Sequence, residues 1–358
     1  MAQGKWIDDL TAETPLQKAA RHVLALRLEV VHKELVRTLD APDEDSEYVH
    51  QLRVATRRAT AALDIFADCL PNKVYRRARK QFRRIRRVAG DARDWDVFLE
   101  DLATHTRTPE TRPGLDALIG YATARRDVAH GRLQEAFTED PDEFARLAAA
   151  TVASVRNSRS GPGYLIHLAL PRLVVLLGEL NQTASDDLND CENLHQVRII
   201  GKRLRYAMEV FAGCFAPPFR EKLYPAMEEM QTILGHANDS YVANQRLAAL
   251  RDSLRKAAPA EWDRYRPGIE GLLQHHERRL LEQRQHFLNW WGLWQPYGNE
   301  FALRTRLEEL RLDPGRDDPA TQASDRPPPD DARGSRLTRT GPLYDHRPGR
   351  KMRPGVRT

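Results

Sequence analysis

Aromatic residues make up only 7% of the 358 residues, and there are three cysteines. No segment alternates apolar and polar residues with period two. The first and last shortages exclude a β-sandwich or barrel, which needs short alternating strands and turns. Cys69, Cys191 and Cys214 form no CxxC pair, and their odd number argues against a disulfide framework. The chain also has little uninterrupted apolar sequence. Its most apolar stretch, GYLIHLALPRLVVLLG, is broken by His167, Pro171 and Arg172, and the start, MAQGKWIDDL, lacks the basic residues and apolar run of a signal peptide. No membrane contact is expected, and the reduced cytoplasm is the expected compartment.

What is present suits long helices with charged faces. Apolar residues account for 41% and charged residues for 30%, enough for a large core and a well-solvated surface. Apolar residues recur at three-to-four spacing from about 14 to 39, with Thr14 as a possible N-cap, and again from Glu47. Further helices are expected over 73–88, 94–105, 114–137, 141–157, 163–181, 191–213, 219–235, 239–257, 262–292 and 299–311, with Pro or Gly at several joins. The fold class is therefore all-α. Residues 1–9 read as an N-terminal extension and 10–313 as the helical domain. Residues 314–358 hold 8 of the 22 prolines and read as a disordered basic tail.

The net charge of +5 is sorted unevenly. Residues 49–93 hold 13 Lys/Arg against 3 Asp/Glu, and 314–358 hold 10 against 6, which leaves −9 for the rest. Such sorting points to a localised anion site with a polyanionic partner.

An internal repeat places that site. VHQLRVATRRATAALDIFADC, from Val49, lies over LHQVRIIGKRLRYAMEVFAGC, from Leu194, at a constant offset of 145, the separation of His50 and His195. The register continues without a gap, so that GDARDWDV from Gly90 falls on GHANDSYV from Gly235. Two copies are too few for a solenoid but fit a duplicated helical bundle, with halves of about 10–157 and 163–311 on either side of a pseudo-twofold axis.

On a helical wheel, His50, Arg53 and Arg57 share one side, with Arg58 flanking them, opposite an apolar stripe of Leu52, Ala55, Ala59, Ala62, Leu63 and Phe66. The second copy repeats this: His195, Arg198, Lys202 and Arg205, with Arg203 alongside, oppose Val197, Ile200, Leu204, Met208 and Phe211. Tyr206 is the one aromatic near the cationic face. The run KVYRRARKQFRRIRR adds an outward basic strip, whereas the aligned segment of the second copy has Glu228 and Glu229 in place of Arg83 and Arg84. One basic helical face is ordinarily a solvated surface; two in register, each with His and Arg three residues apart, point to a site. Guanidinium groups match phosphate oxygens as planar forks and stay charged at physiological pH. A histidine among them has its pKa lowered while the site is empty and raised by bound phosphate.

VHQLRVATRR, LHQVRIIGKRLRYAMEVF, GDARDWDV and GHANDSYV together resemble the two halves of a CHAD domain, the conserved histidine α-helical domain, over roughly Leu10 to Trp294. The resemblance implies two pseudo-symmetric helical bundles around a basic cleft that binds inorganic polyphosphate. It implicates His50, Arg53, Arg57 and Arg58 in the first copy and His195, Arg198, Lys202, Arg203, Arg205 and Tyr206 in the second. Arg83 and Arg87 match the family's basic helix. Members are often fused to a CYTH triphosphatase domain; no such segment precedes Trp6, so triphosphatase activity is not expected.

The expected function is non-enzymatic polyphosphate binding, with no cofactor, no metal and an association with polyphosphate granules as one setting. Sparse aromatics on the basic faces argue against single-strand binding, which relies on stacking. The alternative is a nucleic-acid-binding protein using the Arg-rich helix 73–88 and the basic tail. A metal-dependent hydrolase built on His50 and His195 is disfavoured, because their wheel neighbours are cationic.

Overall fold

A computed structural model describes residues 5–40, 46–138, 140, 142–159, 163–298 and 307–309. The expected tail at 314–358, and all of the expected helix at 299–311 except the helical residues 307–309, lie outside the described residues. Within them there is no strand, and nine α-helices follow one another: α1 (Leu16–Asp40), α2 (Ser46–Ile65), α3 (Asn72–Thr104), α4 (Arg112–Thr138), α5 (Glu143–Ala153), α6 (Leu165–Thr183), α7 (Cys191–Phe211), α8 (Tyr224–Ala257) and α9 (Trp262–Gly298). The fold is all-α.

The elements follow the sequence offset. Short 3₁₀ turns at Ala67–Cys69 and Ala212–Cys214 end the α2 and α7 segments at matching positions, and each is followed by a long helix. Cys69 and Cys214 are free and buried beside the apolar stripes. Asp190 caps α7, accepting a hydrogen bond from Glu192 N at 2.9 Å. Thr14 does not cap α1: its hydroxyl accepts from Thr11 N, while its carbonyl accepts from Leu165 N at 2.9 Å. Leu16 N in turn donates to Gly163 O at 2.7 Å, so the starts of α1 and α6 are tied together.

Two expected breaks are absent. Residues 73–88 and 94–105 belong to one helix, α3, which runs through Gly90, and α8 runs through Gly235. Glycine inside a helix costs roughly 1 kcal/mol relative to alanine, a local penalty that packing along both long helices outweighs. A five-residue π-helical turn, Phe219–Leu223, leads into α8.

Packing joins the halves rather than separating them. α2 packs against α1, α3 and α7; α7 against α6 and α8; α4 against α3 and α9; and α8 against α9. The main apolar cluster takes Leu52, Leu63 and Phe66 from the first half and Val197, Leu204, Phe211 and Tyr224 from the second. A smaller cluster combines Phe98, Leu102, Leu115 and Leu118 with Ala243, Leu247, Ile269 and Leu272. Both draw on both halves, so the expected picture of two bundles becomes one of interlocked halves. At the α4–α9 crossing, Gly114 and Gly268 bring the backbones together: a Cβ on Gly114 would collide with Tyr265 O, and one on Gly268 with Thr111 O.

α6, the most apolar helix, contributes Leu165, Ile166, Leu173, Leu176 and Leu180 to the main core. Among the described residues no helix is long and apolar enough to cross a membrane. Trp291 and Trp294 also pack into the main cluster, with Trp290 stacked on Trp294 at 5.4 Å.

Candidate functional site

Between the two apolar clusters lies a cavity of about 580 Å³ whose walls come from α2, α3, α7, α8 and α9. His50, Arg53 and Arg57 from α2 line it together with His195, Arg198 and Lys202 from α7. These are the residues that the repeat singled out, and α2 and α7 bring them together because each presents its opposite face to the shared core. Phe98 and Ala243 of the smaller cluster close one end.

The lining carries seven Lys/Arg side chains against three Asp. Four of the seven are partnered. Arg53 Nη1 donates to Gly90 O at 2.8 Å and pairs with Asp94 Oδ1 at 3.1 Å. Arg246 lies 3.7 Å from Asp94 Oδ2 and rests on the Trp95 ring at 4.4 Å. Arg93 pairs with Glu100 at 2.8 Å, and Arg279 with Asp101 at 3.6 Å. Arg57, Arg198 and Lys202 have no ion pair or hydrogen bond among the described residues. Gln231, also in the wall, has neither amide atom satisfied.

The electrostatic consequence is largest at Lys202. Burial, followed by Arg57 and Arg198, pulls its pKa down to about 5, against the weaker opposing pull of Asp239. Burial also lowers Arg198, with Arg57 and Arg53 adding to the effect across the cavity. His50 is lowered by burial and then by Arg93, Arg57 and Arg53 against the pull of Glu47. The direction expected for a histidine among guanidinium groups is thus met, with burial the larger cause. His195 has a different partner: its Nδ1 is 2.8 Å from Asn238 Oδ1.

Other expected site residues lie elsewhere. Arg58 is buried between the halves, its Nε donating to Glu209 Oε2 at 2.7 Å and its Nη2 to Oε1 at 3.2 Å. A fully buried carboxylate needs such a counter-charge, and Glu209 also meets Arg27 at 3.6 Å and the Tyr224 hydroxyl at 2.9 Å. Arg205 turns toward the same group, with Glu228 at 3.5 Å and Tyr224 Oη at 3.3 Å. Arg203 pairs with Glu179 at 2.8 Å outside the cavity wall. Tyr206 is only 5% exposed and outside the cavity lining, with the Arg205 guanidinium over its ring at 4.9 Å. Arg83 and Arg87 are exposed and outside the cavity lining. Arg86 is exposed with them, and its pKa is lowered by partial desolvation and then by Arg57, Arg79 and Arg83 against the pull of Asp64.

Arg246, Arg279, Asn238 and Asp101 are wall residues that sequence reasoning missed. Arg246 and Asp101 stand one offset apart, so the repeat gives unlike residues there and no signal.

Similar proteins agree with this architecture. The fold matches the crystal structure of the CHAD domain from the plant Ricinus communis with a TM-score of 0.56 and 23% identity, covering 87% of this chain and 96% of that one. It matches PptA from Streptomyces chartreusis with a TM-score of 0.60 and 18% identity, covering 76% and 99%. No curated protein sequence matches at a significant level. The family model described as "CHAD domain" matches residues 22–248, well over half of the sequence and including every cavity-lining residue except His276 and Arg279, and the chain belongs to the CHAD domain family.

Proposed function

We propose that the chain binds inorganic polyphosphate in the α2–α7 cavity and does not transform it. The observation that carries this reading is the convergence of Arg57, Arg198 and Lys202, three half-buried cations from both halves that form no ion pair among the described residues and have only Asp239 as an opposing charge at a distance. Assembling them costs desolvation and mutual repulsion, as the depressed Lys202 records. A polyanion in the cavity offsets both, supplying oxygens to the guanidinium forks and re-protonating the lysine. Arg53 and Arg246, fixed by Asp94, frame the entry with little rotamer freedom left to lose. The strip through Arg86 to Arg83 gives a long chain somewhere to continue beyond the cavity.

Two features favour polyphosphate over nucleic acid. Phe98 is the one Phe, Tyr or Trp among the described cavity-lining residues, so bases find few large stacking platforms. The unpaired cations also sit inside a cavity rather than along an open face. Ser240 is the one Ser, Thr or Cys among the described wall residues, and no hydrogen bond joins it to His50 or His195, which supports a binding role over a catalytic one.

The test is titration of the purified protein with long-chain polyphosphate at two salt concentrations, with duplex DNA, single-stranded RNA and ATP as competitors. Arg57→Gln combined with Arg198→Gln is expected to weaken binding by roughly 100-fold or more, at about 1.5 kcal/mol or more per charge-assisted hydrogen bond, with the circular dichroism unchanged. Unchanged affinity in the folded double variant removes this cavity from consideration. Equal competition by DNA or RNA makes the protein a general polyanion binder instead.

A further inference from the structure

At the end of the cavity where α3 finishes, three side chains converge that phosphate binding does not use. Asp101 and His105 sit four residues apart on the last turn and C-cap of α3, and His276 faces them from α9. One ligand-type atom from each lies within 4.8 Å of the others. His276 Nε2 is 3.0 Å from Asp101 Oδ2, and His105 Nε2 is 3.5 Å from the same oxygen. Zinc bonds of about 2.0–2.1 Å at tetrahedral angles place neighbouring ligand atoms about 3.3 Å apart, so two of the three separations already fit.

These atoms touch one another, yet none of the contacts has hydrogen-bond geometry. His276 is 2% exposed, and both of its ring nitrogens are buried without a hydrogen-bond partner. Asp101 Oδ2 and His105 Nε2 are in the same state. Buried polar atoms in contact but out of hydrogen-bond alignment gain little from one another, and a cation between them satisfies them together.

We propose that Asp101, His105 and His276 form a site for a single zinc-class divalent ion. Two imidazoles and one carboxylate select zinc or a neighbouring transition metal over magnesium, which prefers all-oxygen octahedral sites. Arg279 Nη1, 3.6 Å from Asp101 Oδ1, orients the carboxylate from behind and leaves Oδ2 for the metal. Three protein ligands leave one position open. Asp101 and His276 are themselves cavity-wall residues, so that position adjoins the phosphate cavity and takes water or a phosphate oxygen. The site stands on its own geometry and does not depend on the polyphosphate reading.

The experiment uses untagged, chelator-treated protein without polyphosphate. Zinc is titrated calorimetrically and against a chromophoric chelator, and cobalt(II) is added separately as a spectroscopic probe. One equivalent of zinc is expected to bind, unaffected by millimolar magnesium, and cobalt is expected to give the visible absorption of a four-coordinate site. His105→Gln and Asp101→Asn, which leave the buried His276 in place, are each expected to weaken zinc binding by 10-fold or more. Absence of stoichiometric zinc binding overturns the proposal. So does binding that survives both substitutions or that magnesium displaces. Loss of zinc binding in a His50→Gln, His195→Gln variant, with His105 and Asp101 intact, places the metal elsewhere and overturns it as well.

Discussion

α2 and α7 carry the same pattern at the same offset, yet their charges meet different fates. On α2, Arg53 is fixed to Gly90 O and Asp94 of α3. On α7 its counterpart Arg198 has no such partner, although Asp239 of α8 attracts it. His50 lies near Arg93, whereas His195 bonds Asn238, the residue at the matching position of the second half. One step further from the axis, Arg58 crosses to Glu209, while its counterpart Arg203 turns outward to Glu179. The partner helix therefore decides whether a cation becomes scaffold or ligand. The first half braces Arg53 and leaves Arg57 unpaired, and the second supplies unpaired Arg198 and the depressed Lys202.

Removing the brace has the largest expected effect. Glu209→Gln leaves buried Arg58 and Arg27 without their carboxylate and is expected to destabilise the fold by about 3–5 kcal/mol. Asp64→Asn, at the matching position, meets only the half-exposed Arg79 and the Tyr75 hydroxyl, and is expected to cost about 1 kcal/mol or less. Urea denaturation of the two variants side by side tests this, and equal losses break the contrast.

The labile charge predicts opposite pH trends for stability and binding. Between about pH 5 and its unfolded value of 10.5, Lys202 holds a proton in the unfolded chain but not in the folded one. Its contribution to stability therefore rises as pH rises through that window and is lost as pH falls toward 5. Bound polyphosphate raises the lysine's pKa, so affinity falls with rising pH, by up to about tenfold per unit until the pH passes the bound value. Calorimetry in buffers of different ionisation enthalpy is expected to show proton uptake on binding. Lys202→Arg, which copies Arg57 of the first half, is expected to flatten the pH profile; an unchanged slope assigns the proton to another group.

The smallest effect is expected on the outer strip. Arg83→Ala with Arg87→Ala removes exposed charges outside the cavity and is expected to weaken long-chain binding only about 2- to 5-fold, as exposed ion pairs contribute roughly 0.2–1 kcal/mol. Short oligophosphates are expected to bind the variant as they bind the parent protein. A larger loss shifts the site onto α3.

The helices and their two faces were legible because periodicity is local: Arg53, Arg57, Arg198 and Lys202 could be placed on one side by counting along the chain. What lies opposite that side could not. Arg57 and Arg58 are neighbours on the wheel, and only the buried Glu209 of another helix separates their roles. Gly90 and Gly235 read as breaks because helix propensity is blind to the helices packed alongside. Arg246 and Arg279 escaped notice for the same reason, since α8 and α9 reach the cavity only through tertiary packing. The Asp101, His105 and His276 cluster joins residues that no spacing rule links.

The Arg58–Glu209 bond has a consequence for how the chain can be divided. Its two ends lie on opposite sides of the junction between the repeats, and both are buried. A fragment ending after α5 would present a guanidinium to a vacant groove, and one beginning at α6 would leave the Glu209 carboxylate with Arg205 and the Tyr224 hydroxyl but without Arg58 and Arg27. Neither fragment is a half-sized copy of the protein. They resemble two pieces of a lock that turn only when assembled, so reconstitution of folded protein from separately expressed fragments should depend on both being supplied at once.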